Sequence, residues 1–423
     1  MQNARLWARI TGVETIGVVE AVREDLAVDA VVVTVRPTRG NRNRCGLCGR
    51  RSARYDAGEG LRRWRSLDAG TVTVYIEAEG SRVSCDEHGV TVAAVPWARH
   101  NTGHTRRFDD YVAWLAAHTS KTAVVALVGV TWRTVGAIVG RVVAEARKFT
   151  DPFDGLSRIG IDEISFKRGH KYLTVVVDHD SGRLVWAAVG RDKATLTKFF
   201  VTLGPQRCAQ IRLVSGDAAE WIATVVGEQC PAAELCADPF HMVAWATEAL
   251  DEVRRALWRD ARRVGVGAIA TRIKGCRYAL LKNPDTLTDT QHESLAQVQR
   301  MNKTLYRAYL LKEQFRLIFQ LRGDEAIIAL NGWLSWAKRC RIAEFVRLAG
   351  RIERHRTTIV ASLTHGLSNA LIESTNTKLR LLFRVAFGFQ NTDNMIALCY
   401  LDRGGYCPTL PGRPPKQQKA AHG

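Results

Sequence analysis

An apolar segment that carries two acids limits most what this chain can fold into. The segment IGIDEISF, residues 159–166, has the apolar run of a buried strand, interrupted by Asp162 and Glu163. Burying a carboxylate is costly unless a metal ion or a cation pairs with it. The segment therefore predicts a strand whose acid has a partner elsewhere in the fold.

The segments that follow predict a mixed sheet. YLTVVVDHDSGRLVWAAVG predicts two strands joined by a turn, LTKFFVTL a helix, QIRLVSGD a strand ending at Asp217, and AELCADPFHM a further short strand. This order is typical of a ribonuclease-H-like α/β fold, in which the first and fourth strands are neighbours. Asp162 and Asp217 would then lie together and suit hard divalent cations. A loop or helix-capping role is the alternative for Asp217.

A helix near the C-terminus offers a third carboxylate. The segment 368–391 contains no proline. Its polar residues at helical spacing form one face: Glu373, Asn376, Thr377, Arg380 and Arg384. With Glu373 as third ligand, a two-metal site would activate a water or a DNA 3′-hydroxyl for phosphoryl displacement. Lys378, Arg380 and Arg384 would contact phosphates. The alternative is a helix with a merely solvated polar face.

Two matched pairs of metal-ligand residues indicate a separate, structural metal site. Two residues separate Cys45 from Cys48, and two separate Cys85 from His88, and each pair has a glycine beside it. Three thiolates and one imidazole suit a tetrahedral Zn²⁺ with no open position. Incidental cysteines are the alternative. Ten cysteines in 423 residues are too few for a disulfide scaffold.

The charge of the chain favours a polyanionic partner. The formal net charge is +19, and eight arginines lie between Arg42 and Arg65 with only two acids among them. Double-stranded DNA is the expected partner. The candidate phosphate contacts are Arg50, Arg51, Arg62, Arg63 and Arg65. A solvated basic face and an anionic membrane surface are the alternatives. With no long apolar run and no signal-peptide pattern, we expect a cytoplasmic protein associated with the nucleoid.

Residues 104–148 predict three helices, at about 106–118, 121–128 and 132–147. A Gly-Val turn separates the last two, and Thr131 can cap the last one. This pattern is typical of a helix-turn-helix, in which Trp132 and Arg133 would lie at the leading end of the recognition helix. A small helical bundle that does not bind DNA is the alternative.

Composition shifts divide the chain into six parts, with a linker near 150–158. The predicted parts are a strand-rich zinc-binding DNA-contact module (1–100, with strands in its first 40 residues), a helix-turn-helix domain (101–150), the first part of the catalytic core (151–245), an all-α insertion (246–360), the end of the core with the Glu-bearing helix (361–403) and a disordered basic tail (404–423).

From about residue 40 to 400, this order of motifs resembles bacterial insertion-sequence DDE transposases of the ISL-three type. The most specific pieces are residues 159–163 and 368–389, although Ser374 stands where the family pattern has glycine and the segment around Asp217 is less distinctive. The resemblance implies that Asp162, Asp217 and Glu373 form a catalytic triad that uses Mg²⁺ or Mn²⁺. It also implies cut-and-join chemistry at terminal inverted repeats, and pairing of two ends leads us to expect a homodimer.

Asp238 and His241 resemble a signature that follows the second catalytic acid in related transposases. A strand-end acid and a helix-start histidine are the alternative reading of this pair. Two other functions stay open from the sequence: a non-catalytic DNA-binding regulator derived from a transposase, and a nuclease acting on RNA or hybrids.

Overall fold

The computed structural model describes residues 2–167, 169–217, 219–367, 370–386 and 391–413. The chain divides into two compact units, one formed by residues 1–150 and 385–423 and the other by residues 151–384. None of the helices in the described ranges is by itself both long and apolar enough to cross a membrane.

The first unit begins with a helix and a four-stranded sheet. Its first elements are α1 (Gln2–Thr11), β1 (Gly17–Asp25), β2 (Ala30–Pro37), β3 (Ala53–Asp56), β4 (Leu61–Arg65), β5 (Thr73–Glu79), β6 (Arg82–Cys85) and β7 (Gly89–Val92). The larger sheet has the order β1-β2-β5-β4, and a smaller sheet has the order β3-β6-β7. The predicted strand pattern is wrong for residues 7–11, which are helical. Trp7, Ala8 and Thr11 share one helical face, and Trp7 and Ala8 pack against the apolar core of the sheet.

Three helices complete the first part of this unit. They are α2 (Arg106–His118), α3 (Lys121–Val128) and α4 (Trp132–Phe149), so the predicted boundaries are confirmed except that α4 runs two residues further. The hydroxyls of Thr105, Ser120 and Thr131 cap the three N-termini. Gly129 ends α3 with a φ of +65°, and α4 then leaves at 101° to α3. This angle is that of a helix-turn-helix.

The second unit is built on a five-stranded sheet. Its first elements are β8 (Arg158–Lys167), β9 (Lys171–Asp178), β10 (Leu184–Val189), α5 (Lys193–Leu203), α6 (Pro205–Cys208), β11 (Leu213–Gly216), α7 (Glu220–Gln229) and β12 (Glu234–Ala237). The strand order is β10-β9-β8-β11-β12. The first three strands are antiparallel, and β8, β11 and β12 run parallel. The predicted adjacency of the first and fourth strands is confirmed.

A helical subdomain follows β12 and has its own core. It contains α8 (Pro239–Arg263), α9 (Gly267–Gly275), α10 (Arg277–Leu281), a 3-10 turn (Pro284–Thr286), α11 (Asp289–Met301), α12 (Lys303–Ile318), α13 (Gly323–Arg339), α14 (Ala343–Arg354) and α15 (Arg356–His365). The indole of buried Trp333 donates a 2.8 Å hydrogen bond to the Leu311 carbonyl within this core. The helices extend beyond the expected range of 246–360 at both ends. α8 starts at Pro239, directly after β12, and α15 ends at His365.

Two helices follow the subdomain. α16 (Ala370–Val385) is the expected Glu-bearing helix, and α17 (Thr392–Arg403) comes after it. Residues 368–369 and 387–390 of the predicted motif lie outside the described residues, as do residues 414–423 of the predicted tail. The expected part 361–403 is divided between the two units. Its residues up to 384 belong to the second unit, whereas α17 belongs to the first unit and packs against α2 and α4.

Candidate active site and metal centre

The register of the sheet brings the first two predicted acids to the same level. Ser215 of β11 pairs with Gly160 of β8 in parallel register. Asp162 lies two residues further along β8, and Asp217 lies two residues after Ser215, directly beyond the end of β11, so the two acids lie at the same height on neighbouring elements. Burial raises the pKa of Asp162, and the charge of Asp217 raises it further, against the opposing charges of His241 and Arg380.

α16 joins these acids at the centre of the sheet through a buried amide. Nδ2 of Asn376 donates a 2.5 Å hydrogen bond to Oδ2 of Asp162. The other carboxylate oxygen of Asp162 accepts from the backbone N–H of Glu163 at 2.7 Å. Asn376 is 1% exposed, and its Oδ1 has no hydrogen-bond partner among the described residues. Both oxygens of Asp162 are therefore held in a fixed orientation.

His241 lies between two acids at the carboxyl ends of β11 and β12. Its Nδ1 is 3.6 Å from Oδ1 of Asp217, and its Nε2 is 3.7 Å from Oδ2 of Asp238. Asp238 is only 3% exposed, and its carboxylate caps α8 by accepting from the Phe240 backbone N–H at 3.2 Å. The structure thus brings Asp238 and His241 to the predicted acids.

Glu373 belongs to the same group of charges. Burial raises the pKa of Asp238 to about 6, and the neighbouring carboxylates of Glu373 and Asp162 add to this shift. Such mutual repulsion between buried acids is relieved when a cation binds among them. The acids are nevertheless more widely spread than the ligands of the cysteine-rich site described below.

The predicted basic residues of α16 lie beyond Glu373 along the helix. Lys378, Arg380 and Arg384 are all exposed, and none forms an ion pair with a residue that the structure describes. Arg380 is close enough to lower the pKa of Asp162 by its charge, although burial prevails. The three basic residues therefore follow Glu373 along α16 and are available to bind an anion.

The second predicted metal site is assembled in the small sheet. Cys85 ends β6 and His88 lies in the turn before β7, while Cys45 and Cys48 lie in the loop before β3. The Sγ atoms of Cys48 and Cys85 are 3.7 Å apart, and Nδ1 of His88 is 3.7 Å from Sγ of Cys85.

The four ligand atoms of this site lie within 4.8 Å of one another, and no other group of three or more such ligands in the described ranges is so close. Hydrogen bonds from His88 and from the Glu87 backbone lower the pKa of the Cys85 thiol to about 6. This donor set fits a tetrahedral zinc ion.

The predicted arginines of the first unit fall into two groups. Arg63 binds Glu77 and Asp25, both at 2.8 Å, and Arg65 is held by Asp68. Arg50 contacts Glu87 at 3.1 Å but stays largely exposed. Arg51 and Arg62 form no ion pair with any described residue, and Arg62 lies 5.6 Å from the ring of Trp64. The paired arginines thus have a structural role of their own.

The start of α4 is open to solvent. Trp132 is 41% exposed, and Arg133 next to it is exposed and unpaired within the described residues. The helix is anchored from its other face by buried Val135, Ile138 and Val139. The predicted leading residues are therefore displayed on the surface of the helix-turn-helix.

Sequence reasoning missed two features near the acids. The sequence predicts Asn376 on a polar helix face but does not predict its bond to Asp162. Arg354 and His355, in the helical subdomain, line a cavity beside Asp217. Asn376 follows Glu373 by one helical turn, and this spacing is a signal that could have indicated a role for Asn376 beside the acids. No local sequence pattern indicates that Arg354 and His355 lie near Asp217.

Comparisons with known proteins agree with this domain order. A family model described as a transposase matches residues 159–399. The helix-turn-helix domain of transposase family ISL3 matches residues 93–143, and the zinc-finger of transposase IS204/IS1001/IS1096/IS1165 matches residues 41–88.

Curated relatives match along most of the chain. The transposase for insertion sequence element IS1557 of Mycobacterium tuberculosis is 57% identical, and the match covers 98% of each chain. The transposase for insertion sequence element IS1001 of Bordetella parapertussis is 28% identical, over 82% of this chain and 86% of the relative.

Proposed function

Since the chain belongs to the ISL3 family of DDE transposases and is a DNA transposase, we propose that Asp162, Asp217 and Glu373 are its catalytic carboxylates. The observation that carries this proposal is the register of β8 and β11, which sets Asp162 and Asp217 side by side. The bond from Asn376 to Asp162 joins α16, which also carries Glu373, to the same central strand. With transposase relatives over the full chain, a non-catalytic regulator is not favoured.

The core is proposed to be ribonuclease-H-like. Three antiparallel strands precede two parallel ones, and the first strand lies at the centre of the order β10-β9-β8-β11-β12. The helical subdomain enters between the fifth strand and α16, as an insertion into the core. This arrangement supports one catalytic acid within the central strand β8 and one at the carboxyl end of its parallel neighbour β11.

Carboxylate oxygens are the ligands that Mg²⁺ and Mn²⁺ prefer, and Asp162, Asp217 and Glu373 would hold such ions. Held by these carboxylates, such ions would supply activation of a water or a 3′-hydroxyl and charge neutralisation at the leaving oxygen. Asn376 and the Glu163 backbone keep the Asp162 carboxylate oriented for this task. Asp238 and His241 hold the position of Asp217 from the side of α8.

The same reasoning assigns a structural zinc ion to Cys45, Cys48, Cys85 and His88. Four protein ligands fill a tetrahedral coordination sphere and leave no place for substrate. The zinc would therefore stabilise the small sheet and its basic surface rather than take part in the reaction.

The remaining cations are proposed to bind DNA. Arg50, Arg51 and Arg62 would contact phosphates beside the zinc site, and Trp132 and Arg133 would face bases in the major groove. Lys378, Arg380 and Arg384 would hold the backbone next to the catalytic acids. Arg63 and Arg65 can contribute positive charge, but their ion pairs with acids leave fewer N–H groups to bind phosphates. The partner is proposed to be the terminal inverted repeats and target DNA, bound by a homodimer in the cytoplasm.

The test is strand cleavage by the full-length protein on duplexes that carry the terminal repeats and flanking DNA, with Mg²⁺. Asp162→Asn, Asp217→Asn and Glu373→Gln should each keep end binding and lose cleavage and strand transfer. Asp260→Asn, an exposed acid on α8, is the matched control and should cut like the unaltered protein. Cleavage that survives Glu373→Gln would remove Glu373 from the triad.

A further inference from the structure

A cavity of about 460 Å³ opens beside Asp217, where the sheet meets the helical subdomain. Asp217 and Glu220 line it from the end of β11 and the start of α7. Arg354, His355 and Thr358 line it from the junction of α14 and α15. The subdomain therefore supplies one wall of a space that adjoins a proposed catalytic acid.

The wall from the subdomain carries one cation, Arg354, and one aromatic ring, His355. The His355 ring lies 5.3 Å from the ring of Trp245, which packs behind it, and the guanidinium of Arg351 lies 3.4 Å from the same ring centroid. Arg354 is exposed and forms no ion pair within the part of the chain that the structure describes. Burial, together with the charges of Arg351 and Arg354, lowers the pKa of His355.

The rest of the lining is apolar or glycine. Gly216, Ala219, Ala223, Leu235 and Ala237 complete it. The volume lies in the range of small-ligand sites, which a single nucleotide fits and a duplex does not. Guanidinium groups suit a phosphate, and an aromatic ring suits the face of an unpaired base. Glu220 would repel a phosphate from the opposite wall and can accept hydrogen bonds from an exocyclic amine.

We propose that this cavity holds one unpaired nucleotide of the DNA strand that is cut beside Asp217, with Arg354 on its phosphate and His355 against its base. The proposal rests on the catalytic role of Asp217 given above. Unpairing a base is unfavourable, and contacts in such a pocket offset that cost. The helical subdomain would then hold the cleaved DNA strand in place at the junction between the element and its flanking DNA.

The experiment uses the full-length protein and a duplex that carries one terminal repeat with its flanking DNA. 2-Aminopurine replaces one base at a time across the cleavage junction, and its fluorescence is read without divalent metal so that no strand is cut. Because unstacking relieves quenching of this base, we expect a several-fold rise at one position. Fully paired positions on either side should show little change.

Arg354→Ala and His355→Ala should each remove most of that rise and slow cleavage in Mg²⁺ by about tenfold, the size of a lost base or phosphate contact. Arg354→Lys should keep part of both signals, which excludes misfolding as the cause. Arg300→Ala, which removes an exposed arginine from α11 in the same subdomain, should match the unaltered protein.

A rise at no position, or an unchanged rise in both Arg354→Ala and His355→Ala, would overturn the proposal. The catalytic assignment is read separately with Asp217→Asn, which should keep the fluorescence rise and lose cleavage. If Asp217→Asn still cuts, the catalytic proposal fails while the fluorescence result stands. Saturable binding of free dAMP without any rise in the DNA would instead identify a site for a soluble nucleotide and overturn the DNA proposal.

Discussion

The side-chain amide of Asn376 donates a 2.5 Å hydrogen bond to Oδ2 of Asp162, although 214 residues separate them in the chain. Asn376 is one helical turn after Glu373, so one helix carries both the third proposed ligand and the residue that orients the first. An amide suits this place because a second carboxylate would repel Asp162. The bond ties α16 to the centre of the sheet.

Asn376→Ala should lower cleavage by about 10- to 100-fold, as loss of a group that orients a metal ligand does. The midpoint of a Mg²⁺ titration should move to higher concentration, while binding of the DNA ends stays unchanged. Thr377→Ala, at the next and exposed position of α16, is the control. An unchanged Mg²⁺ midpoint in a folded variant would show that the amide does not position the ligand.

Removal of one zinc ligand should release the metal and loosen the small sheet. The Cys48→Ser variant should no longer bind its one zinc ion per chain. It should also lose most of its affinity for DNA ends, because the zinc ligands connect β6 and β7 to the loop before β3. Metal content measured by mass spectrometry and a DNA-binding titration check this. Cys407→Ser, which changes a cysteine outside the cluster, should keep the zinc. Full zinc content in Cys48→Ser would contradict the ligand set.

Much of the fold follows from local signals in the sequence. Thr105, Ser120 and Thr131 cap helices, and Gly129 ends one, so the three helices of the helix-turn-helix were predictable almost to the residue. The pairing of β8 with β11 follows from the order of strands and helices. In the cysteine-rich site, residue type and spacing were enough to predict which four ligands meet.

The features that were not predictable depend on packing between distant segments. Asn376 becomes a partner of Asp162 only because α16 docks on β8. Arg354 and His355 reach Asp217 only because α15 packs on β12. The position of α17 against α2 and α4 likewise depends on a contact between opposite ends of the chain. No periodicity within one segment carries this information.

Arg133→Ala should weaken binding to the terminal repeats more than binding to unrelated DNA. A side chain that contacts a base edge contributes about 1–3 kcal/mol of discrimination, so the ratio of the two affinities should fall by about tenfold or more. Competition titrations at a fixed salt concentration measure that ratio. Lys148→Ala changes an exposed cation at the far end of the same helix and should leave the ratio unaltered. Equal effects of the two substitutions would argue against base contact by Arg133.

Glu77 should stabilise the four-stranded sheet in a pH-dependent way. The residue is 5% exposed, and its carboxylate accepts from Arg63 at 2.8 Å and from Arg23 at 3.0 Å. Burial alone would raise the pKa of Glu77, but the hydrogen bonds from the two arginines prevail and lower it below its usual 4.5. The ionised group therefore stabilises the folded state above about pH 4.5, and this contribution is lost as the pH falls through the folded-state pKa.

Glu77→Gln should cost about 1–3 kcal/mol of local stability at pH 7, the worth of hydrogen bonds to a charged group. Hydrogen exchange measured by mass spectrometry should show faster exchange in peptides that cover β4 and β5. The difference from the unaltered protein should shrink as the pH falls below about 4.5, because the carboxyl is then protonated in both states. The control is Glu79→Gln, because Glu79 lies on β5 like Glu77 but forms only an exposed ion pair, with Arg54 of β3. This variant should change hydrogen exchange little. Equal exchange in the two variants would show that the buried pairs do not stabilise this sheet.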